Sequence, residues 1–409
     1  MKLHLPVLLL PVTGIALSVL LNLGTARADD VNRPAEVVEP IRTDPTSIYD
    51  RIWDSATLYK ADSGFLTELA LQGRLHLQDA QGWSDQGDFG TRDRPQSVRW
   101  GDFEVRRFRL GAKAKLMDGN AKLDGHIDIN PDFDPFYGRI YELMFEYSFS
   151  SALNLGVGKR KAFFSLEHST SSKEIVTIER ALLTNALFTS QYTGVWGYGK
   201  AGNWLWEAAL FAGDDEREFT TFNGGAIIQA GLGYDLAEVT GFDRANISFD
   251  YLKATADTTV NSGNLAGSPV PYAFENAMSL NSYWEKGRWA LGTDILHGHG
   301  RGPQGDVFGV VILPTVYVAK GVQLVGRYQY ANGQDDGLRL ASRYERLSPF
   351  TTDGGSGEVY HGFYMGVNYY IYGNKLKLMS GLEYVTMNGG GDGGDYKGWT
   401  WTSGLRMFF

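Results

Sequence analysis

The segment from Val105 to Leu116 constrains the fold of this chain more than any other stretch of its sequence. Every second residue from Phe108 to Leu116 is apolar, whereas the positions between them and before them carry four cations, Arg107, Arg109, Lys113 and Lys115. Successive side chains of a strand point to opposite faces, so one face would be apolar and the other basic. The wall of a membrane β-barrel, with lipid outside and a wet lumen inside, suits such a strand. A solvated sheet face on a soluble protein is the alternative.

The first 28 residues have the three parts of a secretory signal peptide. Lys2 supplies a positive start, an apolar run follows, and Ala26-Arg27-Ala28 provides a small-residue cleavage site. A retained membrane helix is the alternative, but two prolines interrupt the run and the cleavage site argues for removal. We therefore predict a signal peptide over 1–28, a periplasmic lead-in over 29–63 and a barrel domain over 64–409. Apolar residues at helical spacing within the lead-in predict a short helix over 48–61.

Composition supports a sheet that closes on itself. The chain has 51 Gly, 22 Tyr, 22 Phe and 10 Trp, and this content without long apolar runs is typical of many short strands joined by turns. It has no cysteine, so an exported protein of this kind has no disulfide framework and must gain stability from sheet closure or a large core. The formal net charge of −9 argues against nucleic acid as a partner.

The alternation of apolar and polar residues continues to the end of the chain. Alternation and turn signals predict sixteen strands, near 66–77, 103–116, 121–129, 137–147, 153–160, 191–200, 204–213, 225–236, 244–254, 277–285, 288–297, 307–319, 322–331, 359–372, 375–386 and 397–409. Eight long connections, beginning with a polar loop over 78–99, alternate with seven short turns. This pattern predicts an all-β fold, a transmembrane antiparallel β-barrel of about 16 strands behind a short N-terminal periplasmic segment. Fourteen or eighteen strands remain open, because boundaries from one sequence shift by about 2–4 residues.

The last predicted strand ends on an aromatic residue. Trp399, Trp401 and Phe409 share one face of it, whereas Thr400 and Arg406 share the other. Few soluble proteins would expose so many aromatic rings on one side, and such rings suit the interfaces of a membrane. A terminal aromatic on an amphipathic final strand resembles the signal read by the machinery that inserts outer-membrane barrels, which makes that machinery a predicted partner.

Two segments carry a family resemblance. One is RRFRLGAKAKL at 106–116, and the other is GKRKAFFSLE at 158–167, which continues through Thr-Ser-Ser at 170–172 and Glu-Arg at 179–180. They resemble the phosphate-selective porin O and P family of Gram-negative outer membranes, over about residues 64–409. The resemblance implies a sixteen-stranded barrel in the outer membrane, a homotrimer, and passive uptake of small anions such as phosphate or polyphosphate through a basic constriction. It implies neither enzyme activity nor a cofactor.

Strand parity and the resemblance together indicate the residues of a channel. The predicted lumen cations are Arg107, Arg109, Lys113, Lys115, Arg160, Arg327, Lys375 and Lys377. Fixed charge along a wet lumen lowers the cost of admitting an ion. The connection 161–190 is the predicted constriction loop, and its candidate residues are Thr170, Ser171, Ser172, Lys173 and Arg180. For each cation, simple pairing with an acid on a neighbouring strand is the alternative, and for the loop it is an ordinary surface position.

Other functions stay open at this point. Asp124, Asp128, Glu142 and Glu146 are predicted to face the same lumen as the basic row, so a general or sugar-type diffusion porin with little anion selectivity is the main alternative. A barrel-embedded hydrolase would need a Ser, a His and an acid together, and no spacing indicates such a set. A purely anchoring barrel would tolerate a lumen filled by apolar residues. The pair of histidines at 297 and 299 lacks a third metal ligand, so no metal site is predicted.

Overall fold

A computed structural model describes residues 47–85, 98–187, 191–213, 218–255, 273–302, 304–340, 356–388 and 396–409. The predicted signal peptide at 1–28 lies outside the described residues. Within them, no helix is long and apolar enough to cross a membrane.

Sixteen antiparallel strands form one closed barrel. They are β2 (Leu66–Asp85), β3 (Val98–Leu116), β4 (Ala121–Ile129), β5 (Tyr137–Ser150), β6 (Leu153–Lys161), β7 (Gln191–Ala201), β8 (Trp204–Ala212), β9 (Ala226–Asp235), β10 (Arg244–Ala254), β11 (Phe274–Lys286), β12 (Trp289–Gly300), β13 (Val307–Ala319), β14 (Val322–Gly333), β17 (Val359–Tyr372), β18 (Leu376–Asn388) and β19 (Tyr396–Phe408). Each strand pairs with the next in the chain, and β19 pairs with β2, so no barrel strand has a free edge. The predicted barrel of about sixteen strands is confirmed.

The two faces of each strand differ as the sequence pattern predicts. On β19, Trp399 and Trp401 are 38% and 47% exposed on the outer face, whereas Thr400, Thr402 and Arg406 are buried on the inner face. Seven connections join the strands at the end where the chain terminates, and all of them except 236–243 are tight turns. Eight connections, most of them longer, join the strands at the other end. Outer-membrane barrels have short periplasmic turns and long extracellular loops, so the terminus marks the periplasmic end.

Smaller elements fill the connections. They are the helices α2 (Leu166–Ser169), α3 (Leu182–Ala186) and α4 (Ala237–Thr240), a 3-10 turn (Phe222–Gly224), and the short pair β15 (Leu338–Arg339) and β16 (Ser356–Gly357). Two of them, α2 and α3, belong to the connection between β6 and β7.

The prediction for the first long loop was wrong at both ends. Residues 78–85 extend β2 and residues 98–99 begin β3, so these two strands are longer than the predicted 66–77 and 103–116. Burial alternates along this extension, with Gln78, Ala80, Gly82 and Ser84 buried and the residues between them more exposed. Polar residues occur on both faces, so the sequence shows no apolar–polar alternation there. Pairing of β2 with β19 continues to the top of this extension.

The N-terminal helix is shorter than predicted. Helix α1 covers Ile48–Asp54, and β1 (Thr57–Lys60) then pairs with the start of β2 instead of continuing the helix to residue 61. The Trp53 indole N–H donates to the carbonyl of Phe408 at 2.6 Å, and the Tyr49 ring stacks on Tyr372. The N-terminal segment therefore covers the junction where the first and last barrel strands meet.

Two β-bulges change which side chains face the lumen. In β3, His76 pairs with Arg107 and Leu77 with Val105, so the unpaired Arg106 points inward beside Arg107. In β5, a bulge lies at Tyr141, whose ring lies 3.2 Å from the guanidinium carbon of Arg109. An extra residue reverses parity locally. Tyr141 therefore faces inward, although strict alternation with Leu143 and Phe145 would turn it outward.

Candidate functional site

The connection between β6 and β7 lies inside the barrel. We call residues 162–187 the inner loop. Its backbone N–H groups at Ser165 and Leu166 donate to the wall carboxylates of Asp250 and Asp294, each at 2.9 Å. Further inner-loop groups bond to side chains from β9, β14, β17, β18 and β19, namely Gln229, Arg327, Gln329, Asn368, Lys377 and Arg406. The inner loop is thus attached along more than half of the inner wall.

Apolar packing holds the same segment. Phe164, Leu183 and Leu187 are buried in one cluster with inward residues of the wall such as Tyr192 and Phe211. Inward positions on this side of the barrel therefore include large apolar residues. A core between the inner loop and the wall fills the lumen there and excludes water from it.

The inward side chains of the two sides of the barrel differ in exposure. On the side covered by the inner loop, Asp294 and Asn368 are 1% and 0% exposed. On the opposite side, the side chains of Lys113, Lys115 and Arg139 are 38%, 43% and 43% exposed. The open part of the lumen therefore runs along β2 to β5.

The four predicted cations of β3 all point inward. Arg109 forms an ion pair with Asp128 at 2.7 Å and stacks on Tyr141. Arg107 is 9% exposed and lies beside the ring of His76, at 3.4 Å. Lys113 and Lys115 share the carboxylate of Glu68, at 3.3 and 2.9 Å, and both remain accessible.

The other predicted lumen cations are not brought into the open part. Lys377 is buried against the inner loop and donates to the carbonyl of Ile175 at 2.9 Å. Lys375 lies in the turn before β18, 5.2 Å from the Tyr372 ring.

Arg160 and Arg327 are also covered rather than open. Arg327 is buried and joins Glu167 of the inner loop to Glu383 of β18, at 3.3 and 2.9 Å. Arg160 lies under the ring of Phe163, 3.4 Å from its centre. Parity predicted their inward direction, but the position of the inner loop decides which of them meets water.

The predicted constriction residues have different roles within the inner loop. Ser172 accepts a 2.6 Å hydrogen bond from Arg74 on β2, so this part of the inner loop reaches the far wall. Arg180 donates to the carbonyls of Glu167 and Thr170, at 2.7 and 2.8 Å.

Their neighbours hold the same turn of chain. Thr170 donates to the Leu166 carbonyl at 2.7 Å, and the Ser171 hydroxyl accepts from the Lys173 backbone at 3.3 Å. The Lys173 ammonium lies 4.8 Å from the centre of the Phe408 ring.

Sequence reasoning missed three cations of this region. Arg74 on β2 faces inward and bonds to the inner loop, and Arg106 holds Glu179 with two hydrogen bonds of 2.7 and 3.1 Å. Lys161 donates to carbonyls at the end of α2, including that of Ser169 at 3.2 Å. Arg74 was detectable from the parity of β2, whereas the bulge that turns Arg106 inward was not.

The inward acids are mostly paired. Asp128 accepts from both Arg109 and Arg139, at 2.7 and 2.9 Å, and Asp124 accepts from Gln72 at 2.9 Å. Glu146 accepts from the indole of Trp196 at 2.9 Å and lies 4.0 Å from Arg160. The arginines offset the charge of Asp128, and Lys122 lies 3.6 Å from Asp124, whereas the bonds from Gln72 and Trp196 leave the charge of their acceptors in place.

No group of three or more His, Asp or Glu residues that could hold a metal ion occurs among the described residues. His299 instead contacts the carboxylate of Asp306 at 2.8 Å near the end of β12.

Comparison with known proteins agrees with this geometry. Residues 78–239 match the family model described as phosphate-selective porin O and P. The predicted family resemblance is confirmed. This match and the barrel identify an outer-membrane porin and indicate a Gram-negative envelope; they point to a channel rather than an enzyme. No curated protein matches the chain.

Solved structures share the porin fold at low sequence identity. The anion-selective porin from Comamonas acidovorans aligns with a TM-score of 0.55 at 11% identity, over 83% of this chain and 99% of that one. The outer-membrane channel DcaP of Acinetobacter baumannii aligns with a TM-score of 0.53 at 16% identity, over 86% and 99%. OmpT of Vibrio cholerae gives a TM-score of 0.52 at 12% identity, over 86% and 99%. At these identities the likeness shows the fold alone.

Proposed function

We propose that this porin is an anion-permeable diffusion channel in which the inner loop forms the constriction. Small anions would pass along the open part of the lumen, beside β2 to β5. The family model is that of phosphate-selective porins, and this is consistent with phosphate or a polyphosphate as the solute.

One observation carries the proposal: four cations near the inner loop form no ion pair among the described residues. Arg74 donates to the hydroxyl of Ser172, and Arg107 lies beside the imidazole ring of His76, which carries no negative charge. Lys161 and Arg180 donate to backbone carbonyls. Neutral acceptors satisfy hydrogen-bond donors without cancelling their charge, so the positive field remains at the constriction.

These cations also lie close to one another. Arg74 and Lys161 are each within electrostatic range of Arg180, and Arg107 is within range of both Arg109 and Arg180. Cations that lie close together create a positive potential, and this potential lowers the free energy of an anion that enters there. Acids lie within electrostatic range as well, Glu142 for Arg74 and Lys161, and Glu179 for Arg107 and Arg180, and they reduce this effect.

The main alternative is a general porin with a transverse field. Asp124 and Asp128 do face the lumen, as that alternative requires. However, Asp128 is held by two arginines and therefore adds little free negative charge. The cations near the inner loop therefore outweigh the free negative charge of the inward acids, and this difference favours the passage of anions.

The test is the reversal potential of the purified protein in a planar bilayer under a salt gradient. We expect an anion-selective potential in the native channel and a shift toward zero in Arg74→Gln and Arg180→Gln. Arg244→Gln is the matched control, because Arg244 lies at the periplasmic end and is paired with Glu285 at 3.6 Å. Added phosphate should reduce the chloride current.

Two results would contradict the proposal. A weakly selective current that ignores phosphate in the native channel would establish the general porin. Equal shifts in the control and in Arg74→Gln and Arg180→Gln would show that selectivity does not arise at the constriction between β2 and the inner loop.

A further inference from the structure

The extracellular part of β5 extends beyond its pairing with β6. Among the described residues, this pairing ends at Leu143 and Lys159, and β6 continues only to Lys161 before the chain turns inward as the inner loop. Residues 137–142 of β5 therefore have a strand partner on one side only, which is β4. Two bulges interrupt the pairing with β4 in the same stretch. A segment with so few ladder bonds opens easily unless another element supports it.

A part of the connection between β8 and β9 lies across the point where β6 leaves the wall. We call these residues, 218–220, the strap. The Glu218 carboxylate accepts from the backbone N–H of Ile140 at 3.1 Å. At its other end, Thr220 exchanges two hydrogen bonds with Thr193 of β7, in which each hydroxyl accepts from the other residue's backbone N–H at 2.7 and 2.8 Å. The strap thus joins β5 to β7.

Side chains from two further positions fix the strap. Val157 and Lys159 lie on the same face of β6, and Val157 is 50% exposed on the outside of the barrel. Lys159 is nevertheless only 2% exposed, and its ammonium group donates to the carbonyl of Glu218. The hydroxyl of Tyr137 donates to the Glu218 carboxylate. Groups from β5 and β6 therefore converge on Glu218.

The bond at Ile140 lies between two residues whose side chains belong to the open part of the lumen. Arg139, which precedes Ile140, pairs with Asp128 at 2.9 Å, and its side chain is 43% exposed. Tyr141, which follows Ile140, has its ring centre 3.2 Å from the guanidinium carbon of Arg109. A shift of the backbone at Ile140 would move both side chains relative to these partners.

We propose that Glu218 is a positioning residue for permeation, which holds Arg139 and Tyr141 in place beside the open lumen by means of the strap. Glu218 acts as a hydrogen-bond acceptor for the backbone of β5 and not as a charge beside the passing ion. This role rests on the proposed function, because Arg139 affects permeation only if ions pass along β5.

Two substitutions at the same position separate these two roles. Glu218→Ala removes the acceptor, whereas Glu218→Gln removes the charge and keeps an oxygen that can accept from the same N–H. Loss of a hydrogen bond to a charged acceptor changes an equilibrium constant by about tenfold or more. Amide hydrogens within 137–142 should therefore exchange about ten times faster or more in Glu218→Ala, and at close to the native rate in Glu218→Gln.

The matched control is Glu275→Ala. Glu275 is an acid at the extracellular end of β11, away from the strap, and it pairs with Lys253 at 3.8 Å. Its removal takes one negative charge from the same end of the barrel and should leave exchange within 137–142 unchanged.

The reversal potential under a salt gradient shows whether Glu218 acts through Arg139. Glu218→Ala should shift the potential in the same direction as Arg139→Gln, although the two variants remove opposite charges. The double variant should shift it no further than Arg139→Gln alone, because the positioned side chain is then absent. Glu218→Gln should have the native potential. A direct effect of the Glu218 charge would instead shift Glu218→Ala and Glu218→Gln equally, toward anions.

Three results would overturn the proposal. They are native exchange of 137–142 in Glu218→Ala, equal shifts of the potential in Glu218→Ala and Glu218→Gln, and additive shifts in the double variant. If Glu218→Ala does not fold, Thr220→Val removes the bond of the strap to β7 and should also speed exchange within 137–142. Exchange rates do not depend on which ions pass, so a native channel without anion selectivity would refute the proposed function and leave this measurement in force.

Discussion

Replacement of Arg327 by methionine should release the inner loop while the barrel stays intact. Arg327 is 4% exposed and donates to Glu167, to the Glu179 carbonyl at 2.7 Å and to Glu383 of β18. Methionine is close in length but cannot replace these bonds, so the carboxylates of Glu167 and Glu383 would be left together without a cation.

The size of the effect follows from the burial of both partners. Removal of one member of a buried ion pair costs about 3–5 kcal/mol, because the remaining charge is neither solvated nor paired. Since each 1.4 kcal/mol is tenfold, the open population of the inner loop should rise by about two to three and a half orders of magnitude. The other anchors, such as Asp250 and Asp294, limit the change to local opening.

Hydrogen exchange followed by mass spectrometry measures this opening directly. The amide of Leu182, which donates to Gln329 at 2.8 Å, and that of Ala181, which donates to Glu167 at 2.8 Å, should lose protection. Strand peptides should keep theirs. Arg244→Met removes a cation from a pair nearer the periplasmic rim and should leave the inner loop unchanged. Native protection of the inner loop in Arg327→Met would refute the idea that this ion cluster holds it.

Three further changes test other parts of the fold. Trp53→Phe removes a hydrogen bond that links the N-terminal helix to the last strand, and it should destabilise the folded form by about 1 kcal/mol. The measurement is the temperature at which the folded band on a gel converts to the unfolded band, which should be lower in the variant. The double variant Lys113→Gln, Lys115→Gln should reduce anion selectivity at low salt and have little effect at high salt, because salt screens exposed charges. An equal reduction of selectivity at low and at high salt would contradict this prediction. Gly111→Ala should impair the pairing of β3 with β4, since its Cβ would lie 2.0 Å from the backbone oxygen of Gly125, whereas Gly125→Ala meets a leucine methyl at 3.1 Å and should be tolerated; folding yield in detergent distinguishes them.

Much of the architecture followed from the sequence alone. A period of two along β3 and β19 separated lipid-facing from lumen-facing residues, because strand geometry assigns alternate side chains to opposite faces. The same alternation, with turn signals between the segments, predicted the sixteen strands. The direction of Arg107, Arg109 and Lys377 into the barrel followed from the same parity.

The tertiary structure decided which inward residues meet water. Arg327 and Lys377 have the same inward parity as Lys113, yet they are buried because the inner loop packs on their side of the barrel. Bulges placed Arg106 and Tyr141 in the lumen against the parity of their strands. The apolar core between the inner loop and the wall depends on contacts between residues far apart in the chain, and such contacts leave no periodic signal. Local periodicity in the sequence thus determined the strands of the barrel and the direction of most side chains. Long-range packing of the inner loop determined which inward side chains line the open channel.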